Sequence, residues 1–282
     1  MKRVALATAH VSDDPDEPLL LAALADEGIS ARAVPWDAND PFDDDLVVIR
    51  STWDYTTRRD EFLAWARGVA RLANPYEVVA YSSDKIYLGD LAARGHAVVP
   101  TTFVDVGDAP SFYDGDIVIK PRVGAGSRDT ARYSPAQRDE AWAHVMRLHQ
   151  SGRDVMIQPY VDSVDSQGER ALVFIDGQYS HAMTKGAMLN VAELERSWEF
   201  RLAQMSPAAG EPEALALATR VLADQPGDLL YARVDLVRWA GAWVVMELEL
   251  IEPSLFLTYY PPAAVALARA IDGRLGGLVA DP

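Results

Sequence analysis

Residues 231–252 read YARVDLVRWAGAWVVMELELIE and predict two β-strands joined by a central Ala-Gly turn. Because successive side chains of a strand point to opposite faces, Arg233 and Asp235 share one face of the first strand. Glu247 and Glu249 share one face of the second strand, and folding at the turn brings Asp235 nearly opposite Glu247. We therefore expect three carboxylates and one guanidinium on one side of an otherwise apolar hairpin.

Strict alternation also sorts the other residues of the second strand. It places Trp243 and Val245 on the acidic face, and it places Val244, Met246, Leu248 and Leu250 on an apolar backing face. Like charges that are buried close together are costly unless they are paired. A hard cation such as Mg²⁺ relieves that cost, because it binds oxygen ligands and often bridges to phosphate oxygens. The hairpin therefore predicts a metal and nucleotide site.

Composition excludes several classes of protein. The chain has 282 residues, of which 49% are hydrophobic, and its formal net charge is -16. Such a surface repels nucleic acid and anionic membranes, so neither is an expected partner. The absence of cysteine excludes disulfides and thiolate chemistry. No signal peptide and no apolar run long enough to span a membrane is present, so we expect a cytoplasmic location.

The first part of the chain predicts an α/β lobe. Strands alternate with helices there, which is typical of a doubly wound parallel sheet; the expected elements are strands 3–9, 31–35 and 46–50 and helices 19–26 and 61–72. The Asn74-Pro75 pair breaks this pattern and predicts a lobe boundary. A helix is expected over 84–94, and residues 187–206 show no clear period and predict a mobile loop.

A candidate phosphate-binding segment follows Lys120, which ends an apolar strand. Residues 122–127 read RVGAGS, and small residues such as Gly124, Gly126 and Ser127 let backbone N–H groups approach phosphates closely. An ordinary hairpin turn is the alternative, because a lone glycine-rich loop is a weak signal.

Two further lysines are candidates for binding anions. Lys85 is expected in the first turn of the helix 84–94, where a solvated surface lysine is the alternative. Lys185 closes the strand Ser180-His181-Ala182-Met183-Thr184, and for this residue the sequence favours neither a structural nor a functional role.

A third candidate segment runs from Met156 to Val161. An extended apolar piece broken by proline leaves backbone N–H and C=O groups free to contact an adenine edge, although these residues alone favour a core strand that leads to a loop. Asp165 and Glu169 follow in a polar loop. They could accept hydrogen bonds from ribose hydroxyls or face water.

Taken in order, these segments resemble the ATP-grasp superfamily of carboxylate–amine ligases from about Asn74 to Pro253. The pieces that carry the resemblance are Asn74-Pro75-Tyr76, Lys85, Leu91-Ala92-Ala93-Arg94-Gly95, Asp116-Ile117-Val118-Ile119-Lys120-Pro121, Ile157-Gln158-Pro159-Tyr160, Gly168-Glu169, His181-Ala182-Met183-Thr184-Lys185, Arg233-Val234-Asp235 and Glu247-Leu248-Glu249. The resemblance implies an N-terminal lobe (1–80), a central ATP-grasp lobe with the glycine-rich loop (81–155) and a C-terminal ATP-grasp lobe with the metal site (156–282). The two α+β ATP-grasp lobes would clamp ATP between them.

The resemblance also implies roles for individual residues. Two Mg²⁺ ions would be held at the positions of Asp235, Glu247 and Glu249, although the family usually has asparagine at the last of these. Arg233 would steady the acyl phosphate and the oxyanion. The remaining roles concern ATP: Lys85, Lys120 and Lys185 would contact phosphates, Gln158, Tyr160 and Val161 would border the adenine, and Asp165 or Glu169 would bind the ribose.

Within the superfamily, three phrases resemble the D-cycloserine synthetase group. They are RSTWDY (50–55), SHAM (180–183) and ELIEPSLF (249–256). The resemblance implies that a small amino-acid-like substrate, O-ureido-D-serine, is cyclised to the antibiotic D-cycloserine. Its charged amine or ureido end would contact Ser51, Asp54 and Glu252.

Two other functions stay open on the sequence alone. An intermolecular ligase that joins two amino acids or tags a peptide would share the same site and would need a free amine acceptor. A non-catalytic nucleotide-binding regulator would bind ATP without turnover, against which the lysines, Arg233 and the carboxylates argue. The loop 187–206 would be a lid over the acyl phosphate. Many ATP-grasp proteins form dimers, but one sequence shows no interface, so a homodimer stays open.

Overall fold

The computed structural model describes residues 2–11, 14–189 and 203–276, which form three β-sheets and the helices that cover them. The N-terminal sheet is parallel, in the order β2-β1-β3-β4; its strands are β1 (Arg3–Thr8), β2 (Ser30–Pro35), β3 (Leu46–Ile49) and β4 (Leu72–Ala73). Helices α1 (Glu17–Asp26) and α2 (Arg59–Gly68) belong to this lobe. The predicted parallel α/β lobe is confirmed, with β4 as an additional short strand.

Of the helix predicted over 84–94, the structure has α4 (Tyr87–Ala93), and a separate short helix, α3 (Tyr76–Ser82), precedes it. Lys85 therefore lies in the turn between them and not in the first turn of a helix. Its backbone N–H donates to the carbonyl oxygen of Arg122 at 3.1 Å, so a long-range contact fixes its position. That contact attaches the lysine to the chain that follows Lys120.

The central sheet is antiparallel in the order β5-β8-β6-β7. Its strands are β5 (Thr102–Val104), β6 (Ile117–Pro121), β7 (Ala131–Tyr133) and β8 (Val155–Pro159). Helix α5 (Arg138–Gln150) packs on one face through Ala141, Val145 and Leu148. The predicted lobe boundary at 155/156 falls inside β8.

The C-terminal sheet is antiparallel in the order β11-β10-β9-β12-β13. Its strands are β9 (Glu169–Ile175), β10 (Gln178–Lys185), β11 (Met205–Ala208), β12 (Tyr231–Trp239) and β13 (Ala242–Glu249), and the helices in this part are α6 (Ser163–Gln167), α7 (Pro212–Ala223) and α8 (Pro262–Gly276). Strand β11 includes the last two residues of the predicted loop 187–206, which pair with β10. Residues 190–202 of that loop lie outside the described residues.

A β-bulge in the last hairpin corrects the predicted faces. The partner of Asp235 is Glu247 but the partner of Leu236 is Val245, so Met246 is an extra residue in β13. The extra residue shifts the alternation. Trp243 and Val245 therefore pack in the same cluster as Leu248 and Leu250, whereas Val244 and Met246 join a separate cluster around Val161 and Val237. The assignment of Trp243 and Val245 to the acidic face is wrong.

Asn74 joins the N-terminal lobe to this hairpin. It is fully buried, and its side-chain amide donates to the carbonyl oxygens of Tyr231 at 2.8 Å and Leu250 at 2.7 Å. Its side-chain oxygen accepts from the N–H of Leu230 at 2.7 Å. Helix α8 also returns to the N-terminal lobe, where its apolar residues share a core with those of α1. These contacts hold the hairpin against the parallel sheet.

Candidate active site

A cavity of about 790 Å³ is lined by residues of the central and C-terminal sheets and by connecting segments of the N-terminal lobe. Most of the residues that we expected at the site line it: Lys85, Lys120, Gly124, Gly126, Ser127, Gln158, Tyr160, Val161, Glu169, Lys185, Arg233, Glu247, Glu249 and Glu252. This volume suits a ligand larger than a single amino acid.

No helix in the described part of the chain combines the length and the apolar character that crossing a bilayer requires.

The hairpin has the predicted pairing at its acidic end. Asp235 lies opposite Glu247, and Arg233 lies opposite Glu249. One carboxylate oxygen from each of Asp235, Glu247 and Glu249 lies within 4.8 Å of the others. Alternation within the strands and pairing across them thus bring the three carboxylates close together.

Arg233 is the central cation of the acidic cluster. Its Nε and Nη2 donate to the two oxygens of Asp235 at 2.9 and 3.0 Å, and Nη2 also pairs with Glu249. Its Nη1 donates to the carbonyl oxygen of Ser254 at 3.1 Å. Burial opposes the charge of Arg233, but Asp235 and Glu249 outweigh it and raise the pKa of the guanidinium. The group therefore stays charged at any pH at which the protein is folded.

Two lysines connect the acidic cluster to neighbouring strands. Lys85 Nζ donates to the carbonyl oxygen of Gly124 at 2.5 Å and lies 3.1 Å from Glu247. Lys185 Nζ lies 2.6 Å from Asp235 and 2.7 Å from Glu169. Burial opposes the charge of each ammonium, but the adjacent carboxylates outweigh it and raise both pKa values.

Lys120 differs from the other two lysines. Within the described ranges, no carboxylate lies at ion-pair distance from its ammonium group, although the residue lines the cavity. Burial lowers the pKa of Lys120, and Glu247 offsets that only in part. A buried cation without a close counter-ion is costly. An anionic ligand in the cavity would remove that cost.

The carboxylates differ in how easily they ionise. Burial opposes ionisation of Glu247, but Lys85 and Lys120 outweigh it and lower its pKa to about 2. Burial raises the pKa of Glu249 to about 7, although Arg233 opposes that shift. Burial next to Glu249 raises the pKa of Glu252 to about 8. For Asp235, Arg233 and Lys185 outweigh burial and lower the pKa.

The donor set fits a divalent cation. Carboxylate oxygens are the ligands that Mg²⁺ prefers, and three of them converge here. Both oxygens of the fully buried Asp235 bond to Arg233 or Lys185, whereas Glu247 and Glu249 line the cavity. The two glutamates are therefore the acids that an ion in the cavity would meet first.

The glycine-rich segment forms the connection from β6 to β7 along the cavity. Gly126 and Ser127 have positive φ angles of 63° and 55°, a backbone region that glycine adopts without strain. Arg128, which follows them, donates to the carbonyl oxygen of Trp53 at 2.7 Å. The segment thus reaches across to the N-terminal lobe.

The segment expected to border adenine is held by its neighbours. Gln158 donates to the Thr101 hydroxyl oxygen at 2.9 Å, and the Tyr160 hydroxyl donates to Asp165 at 2.5 Å. Asp165 does not line the cavity that Glu169 lines. Of the two candidates for ribose, Glu169 is therefore the one inside the cavity.

Two of the expected substrate residues lie outside the cavity wall. Ser51 is fully buried, and the Asp54 carboxylate accepts a hydrogen bond from the Trp36 indole at 3.1 Å. Only Glu252 lines the cavity among the three. The RSTWDY phrase contributes Trp53 and Tyr55 to the wall instead, because the short 3-10 turn over Trp53–Thr57 directs these two aromatic residues there.

Two comparisons with known sequences identify the family. Residues 4–74 match the family model described as the N-terminal domain of D-cycloserine synthetase DcsG. Over nearly its whole length the chain is similar to the cycloserine biosynthesis protein DcsG of Streptomyces lavendulae, with 40% identity over 297 residues that cover 96% of this chain and 98% of that protein. The chain belongs to the DcsG family.

Solved structures extend this result to the fold. The crystal structure of D-cycloserine synthetase DcsG matches with a TM-score of 0.86 and 37% identity, covering 97% of this chain and 99% of that chain. A D-alanine–D-alanine ligase from Bacillus anthracis complexed with ATP matches at 0.66 and 15% identity (99% and 98% covered), and an ATP-grasp RimK domain protein from Sphaerobacter thermophilus matches at 0.67 and 16% identity (97% and 99% covered).

These matches confirm the predicted ATP-grasp fold and the predicted resemblance to D-cycloserine synthetases. The last two matches show the fold alone, because their identities are low. As a DcsG family member with this fold, the chain is an ATP-grasp carbon–nitrogen ligase.

Sequence reasoning missed several cavity residues of this DcsG family member. Asp16 from the start of α1 and Thr258 from the segment after β13 both line the cavity, next to Phe256 and Tyr259. Asp16 and Thr258 belong to no motif, so their positions followed only from the fold.

A compositional signal for the lysines was also present. The chain has only four lysines among its 26 basic residues, and Lys85, Lys120 and Lys185 are three of them.

Proposed function

We propose that this chain cyclises O-ureido-D-serine to D-cycloserine at the expense of ATP. The supporting observation is that a relative named for cycloserine biosynthesis is 40% identical over 96% of the chain, while the cavity gathers the cations and acids that a nucleotide and a carboxylate substrate require. The product would be an antibiotic.

In the proposed reaction, an oxygen of the substrate carboxylate attacks the γ-phosphorus of ATP, and ADP leaves. The ureido nitrogen that is bonded to oxygen then attacks the acyl carbon of the acyl phosphate, and inorganic phosphate leaves. Water then attacks the ureido carbonyl carbon, the bond from that carbon to the ring nitrogen breaks, and the released carbamic acid decomposes to carbon dioxide and ammonia. Because the nucleophile belongs to the same molecule, closing the ring has a large proximity advantage over an intermolecular attack.

The described residues suit these steps. Lys120, which has no close carboxylate among residues 2–11, 14–189 and 203–276, would bind a phosphate of ATP. Lys85 and Lys185 would do so on leaving part of their present ion pairs. Arg233 would hold the acyl phosphate and stabilise the oxyanion as charge develops. Gln158, Tyr160 and Val161 would border the adenine, and Glu169 would accept hydrogen bonds from the ribose.

Glu247 and Glu249 would hold Mg²⁺, with Asp235 behind them as a third acid. Bound there, Mg²⁺ would neutralise the phosphate oxygens during transfer. The proposal includes two Mg²⁺ ions, because three carboxylates and a triphosphate offer enough oxygen atoms to bind both.

The test is a reaction with one organic substrate. The purified protein with ATP, Mg²⁺ and O-ureido-D-serine should form D-cycloserine by mass analysis, with one ADP and one phosphate for each ring closed. Product that forms only when a second amine is added would instead favour an intermolecular ligase. ATP binding with no ADP release under either condition would favour a non-catalytic regulator.

A further inference from the structure

The cavity has a second wall that the ATP chemistry does not use. It is formed by the chain that enters α1 and by the segment that follows β13, and it includes Asp16 and Thr258. These residues come from opposite ends of the sequence, and hydrogen bonds join them directly. The backbone N–H and the hydroxyl of Thr258 donate to Asp16 Oδ1 at 3.0 and 3.2 Å.

Asp16 is the N-cap residue of α1, but its side chain does not cap that helix. An N-cap aspartate usually accepts a hydrogen bond from the first turn of its own helix, which stabilises the helix. Here the carboxylate turns to Thr258 and the cavity instead. Asp16 therefore does not stabilise α1 by capping it.

The second carboxylate oxygen, Oδ2, has no hydrogen-bond partner in the part of the chain that the structure describes. It is buried, and Asp16 as a whole is only 2% exposed. Among the described residues, no cation lies at ion-pair distance from Asp16, whereas the neighbouring Asp14 lies 3.7 Å from Arg50. A buried carboxylate oxygen without a donor is costly, and a cationic ligand would remove that cost.

Asp16 and Arg233 line the same cavity and contact the same segment of chain. Arg233 donates to the carbonyl oxygen of Ser254, and Thr258, which holds Asp16, is four residues further along that segment. Between these two residues, the Phe256 ring centroid lies 5.4 Å from the Arg233 guanidinium carbon. An amino acid carries its carboxylate and its ammonium group on one carbon, so a substrate with its carboxylate at Arg233 would offer its ammonium group to the acid that this segment holds.

We propose that Asp16 binds the ammonium group of the amino-acid substrate and so selects substrates that carry a free amine. This assignment rests on the proposed function for the identity of the substrate. Thr258 is a positioning residue that fixes the carboxylate in the wall. Glu252, the other acid expected at the substrate, lines the same cavity and is left for the ureido end.

The test compares Asp16→Asn with the wild type in calorimetric binding, with a non-hydrolysable ATP analogue present. The two probes are O-ureido-D-serine and the analogue in which hydrogen replaces its amino group. Asparagine keeps an oxygen that can accept from Thr258 but loses the charge. The wild type should bind the amino compound about 30-fold more tightly than the analogue, and Asp16→Asn should bind both about equally. Asp26→Asn, an exposed aspartate at the end of the same helix, is the matched control and should behave as wild type.

Several results would overturn the assignment. One is an Asp16→Asn variant that keeps the wild-type preference for the amino compound. Another is an equal loss of affinity for both compounds, which would show a structural role. A wild type that binds neither compound would also overturn it. Because binding is measured without turnover, product formation by the wild type tests the proposed function separately. A failure of either idea can therefore be told from a failure of the other.

Discussion

The two walls of the cavity carry opposite charge arrangements. On the lysine wall (Lys85, Lys120 and Lys185), two of the cations form ion pairs with carboxylates, whereas Lys120 has no close counter-ion among the described residues. On the Asp16 wall (Asp16 and Thr258), a buried carboxylate has an oxygen that accepts no hydrogen bond from any described residue. The contrast indicates a ligand pair with complementary charge, a polyphosphate on one side and an ammonium group on the other.

The largest expected effect comes from breaking the acidic support of the lysine wall. Asp235→Asn removes the charge that holds both Arg233 and Lys185 in place, so ATP turnover should fall by about 10³-fold or more. Steady-state release of ADP measures this. The near-UV circular dichroism spectrum should stay that of the wild type.

The control is Glu213→Gln, which changes an exposed carboxylate on α7 and should turn over ATP normally. ADP release at the wild-type rate by a folded Asp235→Asn protein would show that the acidic cluster serves only the structure.

The next prediction separates the two walls. Lys120→Met removes a buried cation of the cavity wall, so the KM for ATP should rise by about 10–100-fold while the KM for O-ureido-D-serine changes little. Asp16→Asn should show the reverse pattern. Lys2→Met, which removes a lysine paired with Asp272 outside the cavity, is the control. Equal effects of Lys120→Met on both KM values would mean that the walls do not bind different ligands.

The sequence predicted the acids of the β12–β13 hairpin far better than the Asp16 wall, for a physical reason. Alternation within β12 and β13 places Asp235 opposite Glu247, because both are close to one turn. Asp16 and Thr258 are 242 residues apart, so no local pattern connects them. The bulge at Met246 was equally hidden, since one extra residue leaves no mark on the composition of a strand.

Lysine usage was a signal that could have sharpened the site. Basic residues of this chain are nearly all arginine, and a compact ammonium is kept at only four positions. Three of those positions line one cavity. Lysine acts as a point charge toward phosphate, whereas arginine forms a planar fork, so replacement by arginine would not preserve the contact geometry.

The smallest expected effect concerns the surroundings of Asp16. Burial lowers the pKa of His181 from its ordinary value of 6.5, although the Leu255 backbone and the charge of Asp16 act in the opposite direction. Unfolding therefore takes up a proton as the pH falls below 6.5, so this contribution to stability is present above that pH and is lost below it.

His181→Phe keeps a ring to stack on Tyr260 and removes the titration. The free energy of unfolding of this variant, from urea melts, should fall less than that of the wild type between about pH 7.5 and about pH 5.5. Parallel losses of stability in the two proteins would show that His181 does not titrate on unfolding.

The most direct test of the account is uptake of Mn²⁺, a paramagnetic substitute for Mg²⁺, measured by the loss of the free-ion electron paramagnetic resonance signal. With a non-hydrolysable ATP analogue present, the wild type should bind Mn²⁺ in stoichiometric amounts, and Glu247→Gln should bind it at least about 10-fold more weakly, because a neutral amide replaces a carboxylate in the cavity wall. Equal uptake by the two proteins would contradict the claim that the hairpin acids hold the metal and its nucleotide.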